Sequence, residues 1–216
     1  MKTYRNVMFD LDGTVTDSGR AIISSVEYAL AQMGIIDQPH EKLMTFIGPS
    51  LHDSFVREYG MTDEECDRAV ACYRDVYEGG RMYEFDVYDG IPELLRGLKE
   101  RDCLVILLTS KPQVFAEKII DRIGLSEFFD HVVAPSLSDH SSDKSLLIER
   151  AVRDFGLDKR DCIMIGDTEY DIRGASDAGI DSIAVTYGYG STEGMLAAGA
   201  TCFADSAEDI AKRLLT

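Results

Sequence analysis

The stretch that decides the fold is Asn6–Thr14, NVMFDLDGT, near the start of a chain of 216 residues. It begins with a continuously apolar run, Val7–Phe9, which is typical of a strand buried on both faces. The run ends in two carboxylates, Asp10 and Asp12, and a glycine. Because two like charges so close together repel each other, the stretch predicts a cation site, an acid/base pair in which one carboxyl holds a proton, or both.

Two plainer interpretations of Asp10–Gly13 compete with that prediction. Asp and Gly are common in turns for steric reasons, so the segment is also compatible with an ordinary polar turn. A calcium-binding loop would instead need an oxygen ligand, a glycine and a glutamate at the positions of Thr14, Val15 and Ala21. The calcium interpretation therefore fails, whereas the turn stays open on this motif alone.

Composition sets the class of protein. With 45% hydrophobic residues the chain can bury a substantial core, as one domain with an insertion or as two small domains. The formal charge of −17 argues against a nucleic-acid polymer as partner, because such binding needs Lys and Arg against phosphates. No apolar run approaches the roughly 20 residues that a membrane span needs, and no secretion signal precedes the first strand. These features predict a cytoplasmic protein without a membrane partner, and they leave its oligomeric state open.

Apolar strands alternate with helical segments along most of the chain. Strands are predicted to begin near residues 7, 104, 132, 163 and 182, which indicates an α/β fold with a Rossmann-like parallel sheet covered on both faces. Residues 17–84 carry helical patterns and no strand of their own. We therefore expect a core domain, residues 1–16 and 85–216, and an inserted α-helical cap domain, residues 17–84.

Polar residues follow the predicted strands at their carboxyl ends, where ligands bind in such sheets. Asp10 and Asp12 follow the first strand, Thr109 follows the second, and Asp167 and Asp171 follow the fourth. Carboxylates are the ligands that Mg²⁺ prefers. With the positive charge of a lysine, Lys144, and the hydroxyl of Thr109 to hold phosphate oxygens, these are the parts that phosphoryl transfer requires.

With these motifs in this order, the chain resembles a haloacid dehalogenase superfamily phosphatase with a helical cap inserted after the first motif. The first motif, Asp-x-Asp-x-Thr, is matched by Asp10, Asp12 and Thr14. The second, a Thr or Ser ending an apolar strand, is matched by Thr109, and the third, a lone Lys, by Lys144. The fourth, Gly-Asp-x-x-x-Asp, is matched by residues 166–171. The resemblance covers essentially the whole chain.

The resemblance implies a role for each matched residue. Asp10 would be the nucleophile that forms an aspartyl-phosphate, and Asp12 would be the general acid and base. Thr109, Ser110 and Lys144 would bind the phosphoryl group. Mg²⁺ would be held by ligands that the motifs supply, namely the Asp10 carboxylate, the backbone carbonyl of Asp12, Asp167, and Asp171 either directly or as support for the other ligands.

The implied function is hydrolysis of a small phosphate ester. The segments Phe46–Phe55, Thr109–Pro112 and Tyr187–Gly190 most resemble members named 5′-nucleotidase or phosphoglycolate phosphatase. A nucleoside 5′-monophosphate is the expected substrate, with phosphoglycolate as the alternative. A sugar-phosphate mutase is the nearest rival enzyme, although the cap-loop segment Gly48–Ser54 lacks the Arg that such mutases usually carry. A catalytically silent binding protein is the rival from another class.

Three further features have two interpretations each. Lys111 follows Thr109 and Ser110 and either faces the site or is a surface charge. The loop Tyr187–Gly190 could approach the ligand, but a tight turn from strand to helix is the favoured interpretation. Tyr73, Tyr77 and Arg81, spaced by four residues, either present aromatic surface and a cation to the substrate or pack inside the cap.

Overall fold

The computed structural model describes residues 2–139 and 143–216. Its strands are β1 (Asn6–Phe9), β2 (Thr16–Asp17), β3 (Asp86–Val87), β4 (Leu104–Leu108), β5 (His131–Val133), β6 (Cys162–Gly166), β7 (Asp181–Val185) and β8 (Phe203–Ala204). Its α-helices are α1 (Gly19–Gln32), α2 (His40–Met44), α3 (Leu51–Tyr59), α4 (Asp63–Glu78), α5 (Ile91–Lys99), α6 (Gln113–Arg122), α7 (Lys144–Phe155), α8 (Glu169–Ala178), α9 (Thr192–Ala197) and α10 (Ala207–Leu214).

The main sheet confirms the predicted α/β class. Within the described part of the chain it has six strands in the order β5-β4-β1-β6-β7-β8, and every pair in it is parallel. The sequence predicted five of these strands and missed β8. That strand has two residues, which is too short for an alternating or continuous apolar pattern to show.

β1 lies near the middle of the sheet, between β4 and β6. Its apolar residues are completely buried and alternate between the two faces: Val7 and Phe9 belong to one hydrophobic cluster and Met8 to another. Burial on both faces explains why the apolar run is uninterrupted. The central position of β1 brings Asp10, the next residue, to the middle of the carboxyl edge.

Helices α1 to α4, which we call the helical insert, lie between β2 and β3. The buried apolar residues of the insert belong to the same hydrophobic cluster as Val7 and Phe9. Helix α4 begins with a capping box in which Thr62 and Glu65 bond each other's backbone N–H groups. The sequence predicted no strand in residues 17–84, but Asp17 belongs to a short antiparallel ribbon in which β2 pairs with β3. The division into two domains at residues 17 and 84 stays a prediction. No helix in the described ranges has the length and apolar character of a membrane span.

Candidate active site

Asp10 lies at the carboxyl end of β1 and is 2% exposed. The ammonium group of Lys144, the first residue of α7, lies 2.7 Å from Asp10 Oδ1 and 2.7 Å from Asp171 Oδ1, and it donates to the Leu108 carbonyl at 3.1 Å. A β-carbon at Gly174 would lie 2.5 Å from that of Lys144, so a glycine at this position of α8 leaves room for the lysine. The structure thus brings the predicted nucleophile and the predicted lysine into contact.

Three buried carboxylates converge beside this ion pair. Asp10, Asp167 and Asp171 each offer one oxygen within 4.8 Å of the others. Burial, reinforced by the nearby Asp171 charge and only partly offset by Lys144, raises the pKa of Asp10 to about 7. Burial, together with the neighbouring carboxylates of Asp171 and Asp10, raises the pKa of Asp167 well above its ordinary value. We call Asp10, Lys144, Asp167 and Asp171 the carboxylate floor.

The carboxylate floor has the donor set of a Mg²⁺ site. All of its candidate ligand atoms are oxygens, and the pKa values of Asp10 and Asp167 are raised mainly by burial and further by the neighbouring carboxylates, which repel one another when ionised. A divalent cation would remove that repulsion. The residues present therefore fit the metal that the sequence predicted.

The carboxylate of Asp171 has two functions in the structure. Its Oδ2 accepts hydrogen bonds from the backbone N–H of Thr168 at 3.1 Å and from the Thr168 hydroxyl at 2.9 Å, so it caps the start of α8. Its Oδ1 faces Lys144. The buried carboxylate is thus held by the helix cap, which fixes the orientation of the oxygen that faces the floor.

Asp167 is held by a loop that the sequence analysis interpreted incorrectly. The backbone N–H of Tyr189 donates to Asp167 Oδ2 at 2.8 Å. A β-carbon at Gly188 would lie 2.3 Å from that of Asp167, and one at Gly190 would lie 2.0 Å from the Asp167 carbonyl oxygen. The favoured interpretation, a simple turn from strand to helix, is therefore wrong, because both glycines are needed for the loop to approach Asp167.

Asp12 lies apart from the converging carboxylates and has its own partners. The Ser18 hydroxyl donates to Asp12 Oδ1 at 2.5 Å, and Lys111 Nζ lies 3.0 Å from Oδ2. Lys111 Nζ also donates to the Tyr77 hydroxyl at 2.6 Å and is nearly fully buried. Of the two interpretations of Lys111, the structure supports the one in which the lysine faces the site rather than the surface. Sequence reasoning missed Ser18, which without the fold resembles any residue preceding a helix.

The two hydroxyl residues after β4 lie at the same edge. Thr109 is 1% exposed, and its Oγ1 accepts a hydrogen bond from the Lys111 backbone N–H at 3.2 Å. Thr109 and Ser110 both line the cavity above Asp10. The structure therefore brings all of the predicted phosphate-binding residues to one edge of the sheet.

A cavity of about 290 Å³ lies between this edge and the helical insert. Many residues of the insert line the cavity on the side opposite the sheet edge, and we call four of them, Phe46, Tyr73, Arg74 and Tyr77, the aromatic roof. The rings of Tyr73 and Tyr77 are stacked with centroids 5.1 Å apart. Arg74 donates to the carbonyl of Leu137 at 2.8 Å, which ties the insert to the sheet side of the cavity.

Arg81 does not line this cavity. It donates to the Ser24 carbonyl at 2.6 Å, and its guanidinium lies over the ring of Tyr28 at 5.8 Å. The sequence hypothesis that grouped it with Tyr73 and Tyr77 is wrong, because α4 ends at Glu78 and the helical spacing does not continue to residue 81.

Comparison with known proteins agrees with this geometry. The family model for haloacid dehalogenase-like hydrolases matches residues 7–185. A protein named 5′-nucleotidase from Pseudomonas aeruginosa is 39% identical over 88% of this chain and 86% of its own length. A protein named phosphoglycolate phosphatase 1 from the same organism is 28% identical over 86% of this chain and 70% of its own length.

Two further matches extend the comparison. The tyrosine-protein kinase PtkA of Mycobacterium tuberculosis is 30% identical over 85% of this chain, which spans 62% of that protein. A crystal structure titled as a predicted phosphatase from Clostridium acetobutylicum superposes with a TM-score of 0.94 at 39% identity and covers 98% of each chain. The chain therefore belongs to the haloacid dehalogenase-like hydrolase family and is a phosphatase of that family.

Proposed function

We propose that the protein is a Mg²⁺-dependent phosphomonoesterase that hydrolyses a small phosphorylated metabolite through an aspartyl-phosphate, with nucleoside 5′-monophosphates as its preferred substrates. The observation that carries the proposal is the environment of Asp10. Its carboxylate lies at the base of a cavity, in contact with Lys144 and beside two further carboxylates. This is the arrangement in which an ionised nucleophile can meet a phosphoryl group whose charge is neutralised from the side.

In the first step Asp10 attacks phosphorus, and the bond from phosphorus to the ester oxygen breaks. Asp12 supplies the proton that the departing oxygen needs. Its contacts with Ser18 and Lys111 hold the Asp12 carboxyl group in place in the lining of the cavity that Asp10 also lines. In the second step Asp12 accepts a proton from water, which attacks the aspartyl-phosphate and releases inorganic phosphate.

The phosphoryl group is held by the two residues that follow β4 and by the lysine that begins α7. Lys144 supplies a fixed positive charge: burial alone would lower its pKa, but the contacts with Asp10 and Asp171 outweigh burial and raise it, so the ammonium stays protonated. Thr109 and Ser110 provide hydroxyl groups at the cavity wall. Asp10, Asp167 and Asp171 with the Asp12 carbonyl would hold Mg²⁺, which when bound stabilises the negative charge of the phosphoryl oxygens.

The cavity supports a compact substrate. Its volume of about 290 Å³ and its cover of helices favour a small soluble ester over a phosphoprotein or a polymer. The aromatic roof offers ring surface suited to a nucleobase. The relative named 5′-nucleotidase is 39% identical to this chain, whereas the relative named phosphoglycolate phosphatase 1 is 28% identical. The higher identity supports nucleotides over phosphoglycolate as substrates.

A hydrolysis panel tests the proposal. The wild-type protein and Asp10→Asn are assayed on nucleoside 5′-monophosphates, phosphoglycolate, a sugar phosphate and an aryl phosphate, with Mg²⁺ and with a chelator. We expect the wild type alone to turn over the esters, only with Mg²⁺, and nucleotides to have the highest kcat/KM. Absence of turnover of every ester would contradict the phosphatase mechanism. Nucleotides among the poorest substrates would contradict the substrate while leaving the mechanism in place.

A further inference from the structure

Two tyrosines of α4 line the cavity, and their hydroxyl groups differ in one respect. The Tyr77 hydroxyl accepts a hydrogen bond from Lys111. The Tyr73 hydroxyl makes no hydrogen bond to any of residues 2–139 or 143–216, although Tyr73 is 4% exposed and belongs to the cavity lining. The Tyr73 hydroxyl oxygen is not one of the buried atoms that lack a partner, so it is open to the cavity, where a ligand can complete its hydrogen bonding.

The protonation state of this hydroxyl sets what it can bind. Burial and the neighbouring Tyr77 raise the pKa of Tyr73 well above its ordinary value. The phenol is therefore neutral near pH 7, and it can donate its hydrogen to an oxygen of the ligand. A ligand acceptor would satisfy it without adding a charge to the cavity.

The neighbours of Tyr73 indicate which part of the substrate it meets. Tyr73 is stacked on Tyr77, the Tyr77 hydroxyl accepts from Lys111, and Lys111 Nζ lies 3.0 Å from Asp12 Oδ2. Tyr73 is therefore on the side of the cavity that holds Asp12, the proposed proton donor to the departing ester oxygen. In the proposed function the phosphoryl group binds at Asp10 and Lys144, which contact each other in the carboxylate floor. Beyond Asp12 the substrate consists of its alcohol portion, and an oxygen of that portion is the acceptor within reach.

We propose that Tyr73 is a specificity-determining residue whose hydroxyl donates a hydrogen bond to an oxygen of the substrate's alcohol portion, so that the site selects phosphate esters of sugars and related polyols over esters of plain hydrocarbon alcohols. This inference rests on the proposed phosphomonoesterase function and names the residue that recognises the alcohol portion of the substrate. It assigns discrimination to a hydroxyl group of the helical insert rather than to the phosphate-binding residues.

The test compares two esters that differ in the alcohol portion alone. Ribose 5-phosphate and n-pentyl phosphate both release a primary alcohol, but only the first carries further oxygens. For Tyr73→Phe we expect kcat/KM on ribose 5-phosphate to fall about tenfold, mainly through KM, and kcat/KM on n-pentyl phosphate to stay within about twofold of wild type. Tyr83→Phe, an exposed tyrosine outside the cavity, is the matched control and should change neither value.

Each other outcome overturns a defined statement. Equal losses on the two esters would give Tyr73 a structural role and overturn the inference, and unchanged kinetics on both would show that the hydroxyl bonds to cavity water instead. Failure of the wild type to hydrolyse these two esters and every ester of the hydrolysis panel with Mg²⁺ would overturn the proposed function itself, whereas a wild type that hydrolyses nucleotides but turns over n-pentyl phosphate as well as ribose 5-phosphate would overturn this inference alone. Thermal unfolding of Tyr73→Phe at the wild-type temperature confirms that a kinetic change does not come from misfolding.

Discussion

The carboxylate floor and the aromatic roof face each other across one cavity and are built in opposite ways. The floor consists of charged side chains, two of them just after parallel strands and two in the first turns of α7 and α8, and they are held by specific contacts such as the Asp171 cap on α8. The roof consists mainly of rings on helices of the insert, held by stacking and by few polar contacts. We propose from this difference that the floor carries the reaction and the roof selects the substrate.

The largest expected loss of activity comes from a substitution in the carboxylate floor alone. Asp10→Asn keeps the shape of the side chain but removes the charge of the nucleophile, so kcat should fall by about three powers of ten or more on every ester. Steady-state assays on a nucleotide and on an aryl phosphate measure this loss. Asp75→Asn, an exposed acid on α4, is the control. Near wild-type turnover by a folded Asp10→Asn protein would refute the nucleophile assignment.

The two buried lysines allow the floor and the roof to be tested separately, because Lys144 belongs to the floor whereas Lys111 contacts the roof. Lys144→Met removes a fixed charge from the phosphoryl site, and we expect kcat/KM to fall about a hundredfold on all esters. Lys111→Met removes the ammonium group that contacts both Asp12 and Tyr77. We expect kcat/KM to fall about tenfold, by an amount that varies with the ester. Assays of both variants on the same panel measure it, and a larger loss for Lys111→Met would mean that the two roles are exchanged.

The glycine loop tests whether the floor depends on its support. The β-carbon of Gly190→Ala would lie 2.0 Å from the Asp167 backbone oxygen, so Asp167 must move. We expect kcat/KM to fall about tenfold to a hundredfold and more Mg²⁺ to be needed for half-maximal rate. Gly97→Ala is the control, since its β-carbon meets only the flexible end of Leu215. An unchanged Mg²⁺ requirement in Gly190→Ala would separate the loop from the metal site.

The smallest expected effect concerns stability in the absence of metal. Asp10 has a pKa of about 7 in the folded protein against 3.8 as a free side chain, so the folded state binds the proton more tightly. Without Mg²⁺ the free energy of unfolding should therefore fall as pH rises from about 4 to 7. Thermal unfolding should show a decrease of several degrees that Mg²⁺ offsets more at pH 8 than at pH 5. Equal stabilisation by Mg²⁺ at both pH values would contradict a metal site at these carboxylates.

Asp10 and Asp167 could be placed from the sequence because short apolar strands mark their own ends, and parallel strands bring those ends to one edge. Lys144 begins a helix and has no such local signal, and it was assigned from the resemblance to the family. Sequence reasoning left Lys111 open and misinterpreted the loop at Gly188 and Gly190. Those features depend on a side-chain direction and on a close approach between distant segments, neither of which has a periodic signal. Arg81 was misplaced for a related reason: the spacing of four was correct, but the helix had already ended.

The ribbon of β2 and β3 has a consequence for how this family can diversify. Thr16 and Asp17 lie directly opposite Val87 and Asp86, so the chain leaves the sheet for the helical insert and returns at neighbouring points. A segment whose two ends are adjacent can be replaced by another segment without stretching the remaining structure. Grafting the segment between these strands from a relative with a different substrate should therefore transfer that relative's selectivity onto an unchanged set of acids.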